Sequence, residues 1–221
     1  MAVDERSVIE AVSGLGLRGN EEGLIPAFGL YLTRHFSDYY NAASFAYLHA
    51  AEKKGPAAVA AARAGLIEAG HVCAFNTFGG IMLSQEWEAV VLPMLESRED
   101  WAHGIVAVIN ALGWGMWKIE SLTPGEELQV SLRNSYESEG YLANHTTRNE
   151  GGVCFLGTGG VAGVMNLLYH GDIIDRPALT PDFYTKLFGA PERFVAEETE
   201  CRAHGADACR IVARRAGSAG A

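Results

Sequence analysis

Apolar positions along the chain change their rhythm near residue 113. Up to that point they cluster in stretches of helical length; beyond it they come in short runs separated by turn residues. Asp4 to Val12 predicts a short helix, ended by Gly14 and Gly16. Pro26 is placed to open a second helix at its first turn, where a missing N–H costs nothing; Leu30, Tyr31, Phe36, Tyr39 and Tyr40 make it aromatic. A third helix spans Asn41 to Lys53 and stops at Gly55-Pro56. An alanine-rich helix follows from Pro56 to about Ala74. Trp87 to Leu95 and Asp100 to Leu112 complete the helical half, with Asp100 as a cap.

The second half reads differently. Trp114 to Ser121 and Glu127 to Leu132 are strand-like runs around the turn signal Pro124-Gly125, and so predict a hairpin. Gly152 to His170 has helical length but contains Gly157, Gly159, Gly160 and Gly163. Each interior glycine costs about 1 kcal/mol relative to alanine, which makes sense if this helix lies very close to another backbone. Asp172 to Pro191 reads as loop with a short helix at Pro181 to Phe188. Arg193 to Cys201 and Cys209 to Ala213 form a second hairpin, and the tail from Ala216 is expected to fray. Helices first and strands later predict one α+β domain, with N-terminal helices packed on a small antiparallel sheet.

Composition narrows the partners. Hydrophobic residues at 48% and charged residues at 20% are ordinary for a globular chain. The net charge of −10, from 27 acidic and 17 basic residues, argues against nucleic acid as the main partner. The N-terminus lacks a basic region followed by an apolar stretch, so no signal peptide is expected. The longest apolar tract, Ala102 to Trp117, is interrupted by His103 and Asn110 and is short of a membrane span. Four cysteines without close spacing point to a reducing, cytoplasmic location rather than a disulfide framework.

The candidate chemistry lies near the C-terminus. Cys154, Glu198, Cys201 and Cys209 would make a closed, structural shell for zinc if they converged. Seven residues separate Cys201 from Cys209, and a hairpin would bring the pair together across strands. On a regular strand, residues three apart face opposite ways. Glu198 could therefore join Cys201 only across a bulge or a strand end, whereas Glu197 has the right parity without distortion. Three thiols buried as small hydrophobes are the competing account.

Other signals are weaker. Gly157-Thr158-Gly159-Gly160-Val161-Ala162 fits the dinucleotide fingerprint, but no βαβ unit follows, and close packing explains the glycines better. His71 and Cys73 could form a nucleophile pair, yet no third, orienting group is identifiable, and no catalytic residue is assigned. Trp114 and Trp117, with Tyr136 and Phe155, are the aromatics from which a hydrophobic ligand site could be built.

Residues 193–212, with Glu198-x-x-Cys201, seven residues and then Cys209, resemble the end of a 4-vinyl reductase domain. The same ending occurs in the phenol- and xylene-sensing domains of bacterial aromatic-catabolism activators. Val153-Cys154-Phe155-Leu156 followed by Gly160 and Gly163, and Asn134-Ser135-Tyr136-Glu137, extend the resemblance upstream over about residues 105–213. It implies zinc on Cys154, Glu198, Cys201 and Cys209, and so prefers Glu198 over Glu197. It also implies a fold related to subunits of the TRAPP tethering complex, a homodimer, and a small hydrophobic or aromatic ligand. Tyr136 matches a pocket aromatic of the sensors. The stretch from Asp172 to Glu192 departs from the family by its length, so the ligand class is not carried over.

The domain boundaries read as 1–24 for an extension or dimerisation helix, 25–215 for the ligand-binding unit and 216–221 for the tail. The expected function is a zinc-containing sensor or carrier that passes its signal to a protein partner. The alternatives are a protein of tetrapyrrole vinyl reduction and a TRAPP-like assembly module.

Overall fold

The computed structural model describes residues 3–145 and 151–217. Helix α1 (Glu5–Gly14) starts at Asp4, whose carboxylate accepts the Ser7 N–H. Val8 and Val12, one turn apart, are buried where α1 packs on α6 (Arg98–Ala111).

Pro26 does not open a helix. Ile25–Ala27 and Leu30–Leu32 form a two-stranded hairpin, β1–β2, with Pro26 opposite Tyr31. Phe28 and Gly29 both have positive φ, 54° and 67°. That is the backbone of a two-residue hairpin turn, and the glycine permits it. Phe28 is held in place by burial and by donating its N–H to Glu86 Oε1 at 3.0 Å. The next helix, α2 (Ser37–Glu52), starts earlier than Asn41 and takes Tyr39 and Tyr40 with it.

Helix α3 (Pro56–Cys73) begins as expected, with Gly55 at φ 99° and Pro56 in the first turn. It does not stop near Ala74. A π-helical turn, Ala74–Phe78, carries it into α4 (Gly79–Met82). Asn76 Nδ2 donates to the Val72 carbonyl at 2.9 Å within this turn. The resulting rod, Pro56–Met82, is 27 residues long with mean hydropathy 1.3 in its most apolar window, enough to cross a membrane by length and composition. Alanines with Val59, Leu66, Ile67 and other aliphatic and aromatic residues supply that apolarity, and the rod packs along α2 and α8.

The stretch Trp87–Leu95 splits in two. Helix α5 (Gln85–Val90) is followed by a 3-10 turn at Leu92–Met94, because Pro93 has no N–H to continue the ladder. Ser97, not Asp100, is the cap of α6; Asp100 is the third residue and accepts the Ser97 N–H in return, a reciprocal capping box.

Strands β3 (Met116–Thr123), β4 (Glu127–Arg133), β5 (Phe194–Glu200) and β6 (Cys209–Arg215) form one antiparallel sheet in the order β3-β4-β6-β5. Both expected hairpins are present, and the α+β reading holds. Between them lie α7 (Tyr136–Asn144), which the sequence pattern did not announce, and α8 (Phe155–Tyr169). Helix α9 (Pro181–Gly189), capped by Thr180, follows. Residues 216 and 217 of the tail form a turn, and 218–221 lie outside the described residues.

Helix α8 is the centre of the molecule. One side lies on the sheet, where Gly157 sits beside Leu132 and Ile211; the other lies on α3. A Cβ on Gly159 would stand 2.1 Å from the Ile67 carbonyl oxygen and 2.7 Å from Gly70 Cα. Close backbone approach, not phosphate binding, is what these glycines serve. Two asparagines fasten helices to strands in the same way. Asn166 of α8 holds both the N–H and the carbonyl of Phe194, each at 2.9 Å. Asn110 of α6 holds the N–H and carbonyl of Trp117 at 2.8 and 2.9 Å.

Candidate metal centre and adjoining cavity

Cys154 precedes the first turn of α8, Glu198 and Cys201 lie at the end of β5, and Cys209 opens β6. One ligand atom from each lies within 4.8 Å of the others, and this group could hold a metal ion. Of the two arrangements strand parity left open, the structure has the bulge with Glu198. The β5–β6 register slips between Glu198 and Glu200, so a bulge at Thr199 turns Glu198 toward the side of Cys201. Glu197 faces elsewhere, with Arg214 Nη1 3.5 Å away.

The spacing of the donors suits a tetrahedral ion. Sγ of Cys209 is 3.4 Å from that of Cys154 and 3.8 Å from that of Cys201. Two sulfurs each about 2.3 Å from a tetrahedral zinc would stand about 3.8 Å apart. A disulfide requires about 2.05 Å, which excludes that account of the cluster. Glu198 Oε2 accepts the Cys154 N–H at 2.9 Å, while Oε1 is buried without a hydrogen-bond partner. An orphaned carboxylate oxygen beside three buried sulfurs is a donor set for a cation.

Electrostatics agree. Burial, then the charge on Cys209, pushes Glu198 up to about 7. Burial also raises Glu137 to about 8, against two hydrogen bonds that lower it. Contacts with the Cys201 and Cys209 thiols push Cys154 well up. The neighbouring Cys154 and Cys201 thiols hold Cys209 down instead, helped by the Arg202 N–H at 3.4 Å. Acidic groups are thus crowded together, and a divalent ion would relieve them all.

Helix α7 braces the cluster. Ser135 Oγ lies 3.5 Å from Cys154 Sγ. Glu137 accepts the N–H groups of Leu156 and Gly157, both at 2.9 Å, and so caps α8 from another element. Cys154 occupies the N-cap position but makes no capping bond with its side chain, so this remote carboxylate takes over the task.

Leu156 and Gly157, the two residues held by Glu137, also face a cavity of about 810 Å³. Its walls come from the β1–β2 hairpin and the segment after it, the π-turn, the end of α6, β3 and the start of α7. Trp114, Trp117 and Tyr136 line it. Phe155 does not; it packs against Phe45, with the Arg63 guanidinium 5.7 Å from its ring centroid. Tyr40, Cys73, Asn76, Thr77 and Phe78 also line the cavity and were not read as ligand contacts from the sequence. Tyr40 belongs to the aromatic segment already noticed, and Cys73 at the end of α3 was weighed only beside His71. Asn76, Thr77 and Phe78 depend on the π-turn, for which the sequence carried no signal. His71 and Cys73 do not act as a pair: His71 Nδ1 is 3.1 Å from Glu68 Oε2, and Cys73 Sγ is 3.8 Å from Thr77 Oγ1.

The fold is similar to that of the phenol-responsive sensory domain of the transcription activator PoxR, solved with phenol. The TM-score is 0.67 at 13% identity, covering 97% of this chain and 92% of that one. No family model matches the sequence, and no curated protein matches it. The similarity establishes a shared α+β fold. The likeness to the 4-vinyl reductase family rests on the motif residues alone.

Proposed function

We propose that this chain is a small-molecule-binding domain, a sensor or carrier, whose cavity takes a hydrophobic or aromatic ligand and whose wall is fastened by zinc. The observation that carries this reading is the shared first turn of α8. Cys154 enters the donor cluster just before that turn, and Leu156 and Gly157 within it face the cavity. The PoxR domain, of the same fold, is phenol-responsive by its description, which supports the ligand class.

Cys154, Glu198, Cys201 and Cys209 would hold the zinc. The ion would supply positive charge where acids crowd, and a cross-link between α8 and the sheet. All four positions are filled by protein, as in structural rather than catalytic sites. The apolar and aromatic cavity wall would exclude water from the ligand, while Tyr40, Tyr136, Asn76 and Thr77 offer neutral polar contacts.

The test joins metal analysis to ligand screening. Purified protein should carry about one zinc per chain. At least one member of a panel of phenols and polycyclic hydrocarbons should raise its melting temperature. A metal-free protein that melts unchanged with every compound would sink the reading.

Homodimerisation accompanies this proposal. Phe36 at 89% exposure, Tyr39 at 58% and Tyr47 at 52% stand on or beside α2, where a second copy would cover them. Sedimentation of wild type against Tyr47→Glu tests that contact.

A further inference from the structure

The cavity differs in charge from the rest of the molecule. The chain holds 27 acidic residues against 17 basic ones, yet no aspartate or glutamate lines the cavity among the described residues. The one arginine or lysine among the described lining residues is Arg34, between β2 and α2, beside His35. Elsewhere Arg98, Arg176, Arg202, Arg210 and Arg214 each pair with a carboxylate. Arg34 has no carboxylate partner among the described residues. Its guanidinium donates to the Leu17 carbonyl, and Leu17 lines the cavity too. That bond ties the cation across from the segment following α1 and uses one of its five N–H groups.

Apart from Arg34 and His35, the described lining residues are apolar or carry hydroxyl, thiol or amide groups. Trp114, Trp117 and Phe78 present rings, with Phe78 stacked on Trp114 at 5.9 Å and edge-on to Trp117 at 6.5 Å. The hydroxyls of Tyr40 and Tyr136 stay protonated, since burial raises both. Size matters as well: an apolar cavity of about 150 Å³ holds one benzene ring, and this one measures about 810 Å³.

Resting on the ligand-binding reading above, we propose that the ligand is an amphiphilic anion. Its apolar body, larger than one aromatic ring, fills the space beside Trp114 and Trp117, and its carboxylate sits at Arg34. A buried apolar body supplies affinity without direction; the single cation fixes which end faces out. Neutral phenols would bind without that orientation, and amphiphilic amines would be repelled.

Quenching of tryptophan emission by matched probes tests this on the full chain. The probes are dodecanoate against dodecanamide and dodecylamine, and biphenyl-4-carboxylate against its amide. The carboxylate of a pair should bind roughly fivefold tighter than the amide at low salt, the worth of one ion pair at a solvent-facing rim. The preference should shrink as salt rises and vanish in Arg34→Gln. Arg34 is exposed, so that variant should keep the wild-type melting temperature. Equal binding of carboxylate and amide would overturn the anion assignment while leaving the cavity as a ligand site. A carboxylate preference that survives in Arg34→Gln would overturn the role of Arg34. Binding of none of the probes would remove both this assignment and the reading beneath it.

Discussion

The metal corner and the cavity share one helical turn but are built on opposite principles. At the corner, four donors from three elements converge until their ligand atoms lie within 4.8 Å of one another. In the cavity, segments running from α1 to α8 stand apart and leave about 810 Å³ between them. The corner is defined by what its residues reach for. The cavity is defined by what its neighbours leave out, where the β1–β2 hairpin, the π-turn and the end of α6 stand back from α8. Convergence rigidifies; separation leaves room for a guest. The single turn joining them lets the rigid corner hold the shape of the open space.

The largest effect should come from breaking the corner. Cys209→Ser should abolish stoichiometric zinc binding and cost about 4 kcal/mol or more of stability, as loss of a structural metal does. Metal analysis and urea unfolding would measure both. Probe binding should weaken in parallel, because α8 loses its anchor; unchanged binding would show the two regions to be independent.

The packing behind both regions comes next. Gly159→Ala forces a Cβ onto the Ile67 carbonyl and should cost about 3 kcal/mol. Gly65→Ala on the same rod meets nothing nearer than the Tyr47 hydroxyl at 3.9 Å and should stabilise by up to about 1 kcal/mol. Opposite shifts in thermal unfolding would separate close approach from helix propensity.

A smaller effect probes the far side of the cavity wall. The π-turn faces the cavity with Asn76 and Thr77. Behind it, Phe75 packs edge-on against Tyr184 and Phe188 of α9. His71 lies in that layer, 5.1 Å from the Phe188 ring, with Nε2 buried and unpartnered. Burial lowers its affinity for protons, although Glu68 beside it raises it and Arg193 lowers it further. The unfolded chain therefore binds the proton more readily than the folded one. Stability should be present above the unfolded value near 6.5 and be lost as the pH falls through the lower folded one. Unfolding midpoints against pH should show this slope in wild type and a flatter one in His71→Gln. An identical slope in the variant would place its origin elsewhere.

The smallest change removes one oxygen. Tyr136→Phe should leave stability within about 0.5 kcal/mol and weaken a hydrogen-bonding ligand by about 1 kcal/mol. Titration of wild type and variant with the same probe would read the difference, and equal affinities would remove Tyr136 from the polar contacts of the cavity.

Legibility in the sequence followed the same divide. The Cys201 to Cys209 spacing, a hairpin between them and Cys154 ahead of a glycine-rich helix were all readable, and these bring the donors together. The need for a distortion between Glu198 and Cys201 was readable too, from strand parity. Phe155 was grouped with the cavity aromatics by nearness along the chain, yet the helix turns it toward Phe45. Pro26 looked like a helix start because proline suits both a first helical turn and an edge strand. The decision fell to the Phe28-Gly29 turn and to a contact with Glu86, distant in sequence. Helix α7 was missed although Asn134-Ser135-Tyr136-Glu137 had been noticed, because its buried face serves the metal corner and α2 rather than one apolar stripe.

By itself the sequence determined the α+β order of elements, both sheet hairpins, the glycine-lined contact of α8 and the candidate cysteines, while strand parity left the carboxylate open between Glu197 and Glu198. Each of those follows from local rules: side-chain periodicity, turn chemistry, and the preference of soft thiolates for a metal. Only the tertiary structure decided that Glu137 caps a helix it does not belong to, that α3 runs on through a π-turn, and that the described wall of the cavity holds no carboxylate and has Arg34 at its edge. Those outcomes depend on which distant backbones come close and which stay apart, and local periodicity carries no term for that distance.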